Sequence, residues 1–552
     1  MKKSKKIVFS RVLTTVLSVL LLFTFLVGCT ASTQKPQEKE TEEEKTVSDD
    51  KTEQVVQKEE RIKVKFFGER YIPEQKTEII RMLEDRLNVE FVLMGAYDTE
   101  INEKLNVLLL SNDMPDVLYV GNNSEVREKG LARFTEAELK EYMPNYYKTI
   151  TEVAQKNGGR NISDILKRFE AEDGKLSAFP HVWSGGPYPQ GIIWRKDILD
   201  QLGKEVPKTI EEWEDVFAAY KKANPDKYPW AGCGKLLWQS FTPILDAVGM
   251  QFWHYNVRDG KIVQGYAQPE FKQALATLQK WYKEGYIHPE WPAWDQPTKY
   301  NYFYNGNSIV TEWISFSHWD LDEPYLEDTH IDKLTKLNPD AKLVLGPYPR
   351  YDENKKPALY VWDPFTGNFS GFGKHLQNDT DKLHRVMKML DTISYDEETL
   401  LLAYFGIEGT HWEWDKETKL PKRLPGAITQ EEHNQLGIGY YWTSICYSSL
   451  VDKYNAHPRK EAARQKYSLE PGAIYSDDVV YRNINPVFGT IRDADGENIW
   501  KQYPDLNKAG EYFTKIICDE LPVDAWDEWV EYWNNNGGRE IEAAATEQYL
   551  NK

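Results

Sequence analysis

Between residues 62 and 120 the spacing of apolar side chains switches repeatedly between a period of two and a helical period. Ile62-Lys63-Val64-Lys65-Phe66-Phe67 alternates like a strand with one buried face. From Glu78 to Leu87 the residues Ile79, Ile80, Leu83 and Leu87 fall at helical spacing. Val89 to Met94 reads as a second strand, Asn102 to Leu110 as a second helix, and Pro115-Asp116-Val117-Leu118-Tyr119-Val120 as a third strand. Strand, helix, strand, helix, strand in so short a stretch leaves little choice of architecture: it predicts a parallel sheet with crossover helices, and hence an α/β fold.

The rest of the chain continues in mixed α/β style. After Gly174-Lys175-Leu176-Ser177-Ala178-Phe179-Pro180 comes a Gly/Pro-rich loop from His181 to Gln190, then a strand from Gly191 to Arg195 and a helix that Gly203 should stop. Thr209 and Glu212 have the spacing of a capping box, with Trp213, Val216, Phe217 and Tyr220 as the apolar stripe behind it. Gln268-Pro269-Glu270 opens a helix to about Lys283. Short strands are expected at Gly306 to Ile314 and Leu343 to Leu345, and helices at Asp381 to Ile393, Glu397 to Tyr404, Asn507 to Asp519 and Val523 to Asn534. No repeat of fixed period is visible, and 552 residues suffice for two or more domains.

The first 60 residues have a different character. Lys2, Lys3, Lys5, Lys6 and Arg11 precede an apolar run from Val12 to Val27, the layout of a secretory signal peptide and too short for a comfortable membrane span. Leu26-Val27-Gly28-Cys29 resembles a bacterial lipobox, in which the cysteine thiol takes a lipid and the peptide is cut before it. Residues 1–28 are therefore expected to be a signal peptide. Residues 29–60, rich in Glu, Lys, Thr and Gln, are expected to be a lipidated Cys29 followed by a tether that buries too little surface to fold. Cys233, Cys446 and Cys518 have no pairing or metal spacing and suit small buried hydrophobes.

The formal net charge is −19, and because residues 1–28 carry five basic residues and no acidic ones, the mature chain would carry −24. Such a surface repels nucleic acid and disfavours a strongly anionic ligand. Aromatic residues make up 13% of the chain, with 19 Trp. Many must be core, yet flat rings also suit sugars, whose C–H faces pack on them.

Several further words taken together resemble one family. They are Gly174 to Pro180; Ile193-Trp194-Arg195-Lys196-Asp197-Ile198-Leu199 with Val206-Pro207-Lys208-Thr209; Gln268-Pro269-Glu270 with Glu284-Gly285-Tyr286-Ile287-His288-Pro289-Glu290; Phe303-Tyr304-Asn305-Gly306; and Tyr404-Phe405-Gly406-Ile407-Glu408-Gly409-Thr410-His411-Trp412. The chain is similar in these to the family 1 extracellular solute-binding proteins of ABC importers, in the Gram-positive lipoprotein branch associated with oligosaccharide uptake. The resemblance implies a two-lobed α/β fold of the periplasmic-binding-protein type II class with three crossings between lobes. Lobe one would be residues 61–190 plus 371–411, and lobe two 191–370 plus 412–552. The hinges would lie near Gly191, Gly371 and Trp412, with Gly367, Gly371 and Gly373 lending latitude. It further implies an oligosaccharide ligand, permease subunits as partners, a lipid-anchored location at the extracellular face of the cell membrane, and a monomer. Neither catalysis, a cofactor, a metal nor nucleic acid is implied.

Sugar recognition calls for stacking surfaces and for planar donors and acceptors that match vicinal hydroxyls. Trp183 and Tyr188 lie in the loop before the first crossing. Trp238 follows the Gly-Cys-Gly break, Trp313 ends a strand, and Trp362-Asp363 precedes the second crossing. Trp412 follows the Gly-Ile-Glu-Gly-Thr-His word, and Tyr440-Tyr441-Trp442 is expected to offer a platform from lobe two. Arg70, Asn122, Asn123 and Glu408 are the polar candidates, because loops after the first and third strands should face the cleft. Trp213, Trp281, Trp529 and Trp533 sit on helical stripes and are expected to be core.

Other readings carry less. Asp493-Ala494-Asp495-Gly496-Glu497-Asn498 resembles the start of a calcium loop, but its glycine comes fourth and Pro504 stands where a bidentate Glu is needed, so a turn is expected. His411 has no nucleophile or second histidine at a recognisable spacing. A surface glycoside hydrolase would need two carboxylates across a cleft, and none of the 87 acidic residues is marked out. A peptide or signalling ligand on the same fold stays open at this point.

Overall fold

Strands β1 (Ile62–Glu69) and β2 (Val89–Ala96) run parallel, with Ile62 opposite Val89 and Glu69 opposite Ala96. Helix α1 (Glu78–Leu87) connects them. Thr77 caps its start by accepting the Ile80 N–H, and Asn88 closes it in the left-handed conformation at φ 53°. Helix α2 (Asp98–Leu110) leads to β3 (Val117–Gly121), which lies parallel on the other side of β1. The expected βαβαβ unit is thus present, with α2 starting four residues earlier than the apolar spacing suggests. The computed structural model describes residues 60–550, apart from 71–74, 157–158, 172, 183–187, 315–329, 353, 359–360, 363, 366–367, 427–428, 456–457, 459–461 and 463–490.

Two further strands complete this first sheet. β4 (Phe179–Pro180) forms its edge, and a strand from much later in the chain, Phe369–Phe372, enters antiparallel between β3 and β4. After β4 come β5 (Tyr188–Pro189) and then β6 (Gly191–Arg195), the central strand of a second sheet. The hairpin of β7 (Tyr255–Arg258) and β8 (Lys261–Gln264) turns on Asp259-Gly260, both at positive φ. β9 (Val310–Ile314) and β10 (Leu343–Gly346) flank β6, both antiparallel to it. β11 (Val361–Trp362) then pairs antiparallel with β5 before the chain re-enters the first sheet as β12, the Phe369–Phe372 strand. The first two passages between sheets are therefore hydrogen-bonded to each other as a narrow ribbon.

Each sheet has its own core. The first gathers Phe66, Phe67, Leu83, Phe91, Tyr119, Tyr146, Phe179, Phe372 and Leu390. The second gathers Trp194, Trp213, Phe217, Trp230, Trp281, Phe303, Trp529 and Trp533, including all four tryptophans expected to be core. The capping box at Thr209 and Glu212 and the left-handed stop at Gly203 both form. This is the expected two-lobed α/β fold with three passages.

The boundary expected at residue 412 is corrected. Ile438, Tyr441, Trp442, Ile445, Cys446 and Tyr447 pack in the first core, and Trp412 with Tyr454 joins Leu400 and Phe405 in a satellite cluster. Residues 412–414 form β13 (Trp412–Trp414), which pairs with β14 (Pro421–Arg423) as a hairpin. Among the described residues the chain thus stays with lobe one through Tyr454, and the next member of the second core is Ile491. Trp412 is not a hinge. Among the described residues no helix is long and apolar enough to cross a membrane.

Candidate functional site

In open α/β sheets ligands lie beyond the carboxyl ends of parallel strands. On lobe one that edge is formed by Glu69-Arg70, Ala96-Tyr97, Gly121-Asn122 and, after β4, His181. Arg70 takes φ 113°, unusual for a residue with a side chain, and its N–H bonds Ala96 O at 2.8 Å. Gly95 permits this exit, because a Cβ there would come within 2.0 Å of Arg70 O. The Arg70 guanidinium pairs with the buried Glu69 carboxylate. It also faces the rings of Tyr97 and Tyr440, at 5.7 and 5.4 Å from their centroids.

His181 completes the cluster. Its Nδ1 lies 2.9 Å from Ser444 O, and since a carbonyl only accepts, Nδ1 carries the proton. The imidazole meets Tyr119 and Tyr440 edge-on, with centroids 5.9 and 6.3 Å away. Ser444 also accepts the Glu69 N–H on its Oγ at 3.0 Å, so the short helix from Tyr440 to Thr443 is fastened to the end of β1. The result is an aromatic frame around a fixed guanidinium–carboxylate pair, a surface able to stack on a sugar and to bond its hydroxyls.

Of the residues expected at the site, Arg70 lies at its centre. Tyr188 and Trp362 are cross-strand partners in the β5–β11 ribbon. Trp313 lies in β9, whose end pairs with Gly191 beside the ribbon, and Trp238 is half-buried on the turn Gly234–Gln239. Cys29, Trp183 and Asp363 lie outside the described residues.

Three expectations are corrected. Tyr441 is 2% exposed in the lobe-one core, with its hydroxyl on Phe66 O and Met94 O at 3.0 and 2.7 Å, and burial pushes its pKa far above the ordinary tyrosine range. Its neighbour Tyr440 is the ring that faces Arg70 and His181 at the end of the lobe-one sheet. Trp412 is 2% exposed, donates Nε1–H to Gly406 O at 2.9 Å and packs on Phe405. Glu408 is exposed on the turn that bridges to Trp412. Asn122 is exposed at the edge of the site, while Asn123 is buried and occupied as the cap of α3 (Ser124–Lys129). Asp493 folds inward, its Oδ1 accepting from the N–H groups of Asp495 and Glu497, as expected of a turn.

Tyr97 and His181 were not anticipated. Tyr97 could have been found, because it follows the second strand as Arg70 and Asn122 follow the first and third. His181 had no local signal: only the antiparallel insertion of β12 brings the end of β4 to this edge.

Residues 78–322 match the family of bacterial extracellular solute-binding proteins. The polygalacturonan/rhamnogalacturonan-binding protein YtcQ of Bacillus subtilis is 21% identical over 451 residues, covering 80% of this chain and 82% of its own. Lipoprotein LipO of the same organism is 20% identical over 465 residues, covering 80% and 83%. Among solved structures, alginate-binding protein AlgQ2 superposes with a TM-score of 0.65 at 16% identity, covering 89% of this chain and 98% of its own. The S. pneumoniae ABC-transporter substrate-binding protein FusA, in complex with kestose, gives 0.61 at 15%, covering 88% and 98%. The resemblance read from the sequence words is borne out, and the fold is that of solute-binding proteins.

Proposed function

We propose that this chain is the solute-binding lipoprotein of a carbohydrate ABC importer, which captures an oligosaccharide between its two lobes and delivers it to the permease. The observation that carries this reading is the pair of separately cored lobes joined by the β5–β11 ribbon, with an aromatic frame at the carboxyl end of the lobe-one sheet. A ribbon of two residues per strand resists bending little, so a ligand that touches both lobes can draw them together. YtcQ and FusA carry carbohydrate in their names or bound to them, which favours a sugar over a peptide.

The protein acts as a monomer without catalysis, held at the extracellular face of the membrane by acyl chains on Cys29. Lobe one comprises residues 61–182 with 365–455, and lobe two 191–348 with 491–550. A thermal-shift screen over neutral and acidic oligosaccharides and short peptides tests the ligand, because anything bound by the folded state raises Tm. The reading expects a shift with one class of sugar and none with peptides, and the sugar recovered unchanged. Steady release of shorter products would make it a hydrolase. Cys29→Ser should release the protein from the membrane fraction or leave it unprocessed, and unchanged attachment of a correctly cleaved chain would refute the anchor.

A further inference from the structure

On lobe two, two hydrogen-bond donors and a buried lysine converge on one buried carboxylate. Glu312 and Lys299 are each 1% exposed, with Lys299 Nζ 3.7 Å from Glu312 Oε1 and 3.3 Å from its backbone oxygen. The Trp230 indole N–H donates to Glu312 Oε2, and the Phe241 backbone N–H donates to Oε1 at 3.3 Å. Trp230 and Phe241 are the two ends of one excursion of the chain, and Trp238 lies on it.

The excursion is tightly built. Ser240 Oγ accepts the Cys233 N–H at 2.8 Å and donates to Cys233 O at 3.0 Å, closing its neck. Gly232 lets the rings of Phe241 and Trp291 approach, since a Cβ would meet them at 2.7 and 2.9 Å. Gly234 does the same for Pro292 O at 1.9 Å. Phe241 is fully buried at φ 60°, ψ 17°, a conformation that costs a bulky side chain free energy and persists only where the surroundings impose it. The bond from its N–H to Glu312 is one of those constraints.

We propose that Glu312 is a positioning residue for ligand binding, its single carboxylate fixing both ends of the 230–241 segment and so setting Trp238 at the lobe-two side of the cleft. The strand position supports this. Glu312 pairs with Ile192, one step in from the Gly191–Ile314 pair at the mouth of the ribbon. Trp238 is three residues from Phe241, so its backbone lies within about 10 Å of the atom Glu312 holds. A carboxylate is required because each of its oxygens receives a donor and its charge faces Lys299, whereas an amide would turn its own N–H groups against one of the donors. This inference rests on the oligosaccharide reading above.

The test compares Glu312→Gln, Trp238→Ala and the double variant with the full-length wild type. Each is titrated calorimetrically with the neutral or acidic oligosaccharide that gives the largest thermal shift, and its amide hydrogen exchange is followed. Expected for Glu312→Gln are exchange at least tenfold faster at Phe241 and across residues 233–240, an unchanged rate at β6 and β10, and affinity lowered about tenfold or more. The double variant should bind no more weakly than Trp238→Ala, because the two changes remove one interaction. Should Glu312→Gln not fold, Glu312→Asp keeps the charge with a shorter reach and should show the same pattern more weakly. A loosened segment with unchanged affinity, or additive losses in the double variant, would overturn the proposal while leaving the binding function intact. A wild type that binds no sugar would instead remove the reading beneath it.

Discussion

Glu128 of lobe one accepts a hydrogen bond from Arg492 of lobe two, Nη2 to Oε1 at 2.9 Å. Glu128 sits on α3, just beyond the carboxyl end of β3. Arg492 follows Ile491, a member of the second core, and its other Nη donates to Gly496 O at 2.6 Å. Charges around them complement one another, with Lys501 drawing down the pKa of Glu125 and Glu497 raising that of Lys129, each behind the Glu125–Lys129 pair itself. The lobes thus meet directly at the cleft margin as well as through the ribbon.

Because both partners are about a third exposed, the pair should be worth no more than about 1 kcal/mol. It links lobes rather than elements of one core, so its loss should weaken ligand affinity by up to about fivefold with little change in Tm. Glu128→Gln, Arg492→Met and the double variant should give the same weakening by calorimetry. A double variant whose fold-loss equals the product of the two single losses would show that the two residues act separately.

The aromatic frame and the buried core make opposite predictions for neighbouring tyrosines. Tyr97→Ala or Tyr440→Ala should cost about 2 kcal/mol of binding, over tenfold in affinity, with modest effect on folding. Tyr441→Phe removes a hydroxyl shared by Phe66 O and Met94 O, and should lower stability by about 1 kcal/mol while leaving affinity alone. Calorimetry and urea titration on the three variants separate these outcomes, and an affinity loss confined to Tyr441→Phe would reverse the assignment.

At the opposite edge of the first sheet, the Asp116 carboxylate is almost wholly buried and accepts from His375 Nε2 at 2.8 Å, Lys382 Nζ at 2.7 Å and Lys65 N at 2.7 Å. Burial alone would raise its pKa, but these bonds outweigh it and hold the carboxyl below its ordinary value. A group depressed in the folded state contributes stability above its unfolded pKa of about 4 and loses it as pH falls through the lower folded value. Asp116→Asn should therefore destabilise at pH 7 by about 2 kcal/mol and by progressively less as the pH is taken below about 4. Equal destabilisation by urea titration across that range would contradict the ionised assignment.

Much of the fold was legible because local physics dictates it. The period-two and helical runs of residues 62 to 120, the capping box at Thr209 and the stop at Gly203 need no tertiary partner to be recognised. The site was only partly so. Arg70 was found from its place after a strand, but Tyr441 and Tyr440 are adjacent and equally aromatic. Which one enters the core depends on Gly68, which offers no Cβ where the Tyr441 ring lies at 2.6 Å. The placement of residues 438–447 in lobe one was likewise hidden, since nothing in Ile438 or Trp442 says which of two apolar cores will receive it.

The claim that the two lobes close on a sugar is tested most directly by small-angle scattering of the full-length protein, titrated with the oligosaccharide that gives the largest thermal shift. Closure requires that the ligand bind the closed arrangement more tightly than the open one, so the radius of gyration should fall saturably, along the same isotherm as the calorimetric binding. A sugar that binds tightly at one site while the radius of gyration stays constant from zero to saturation would contradict capture between closing lobes.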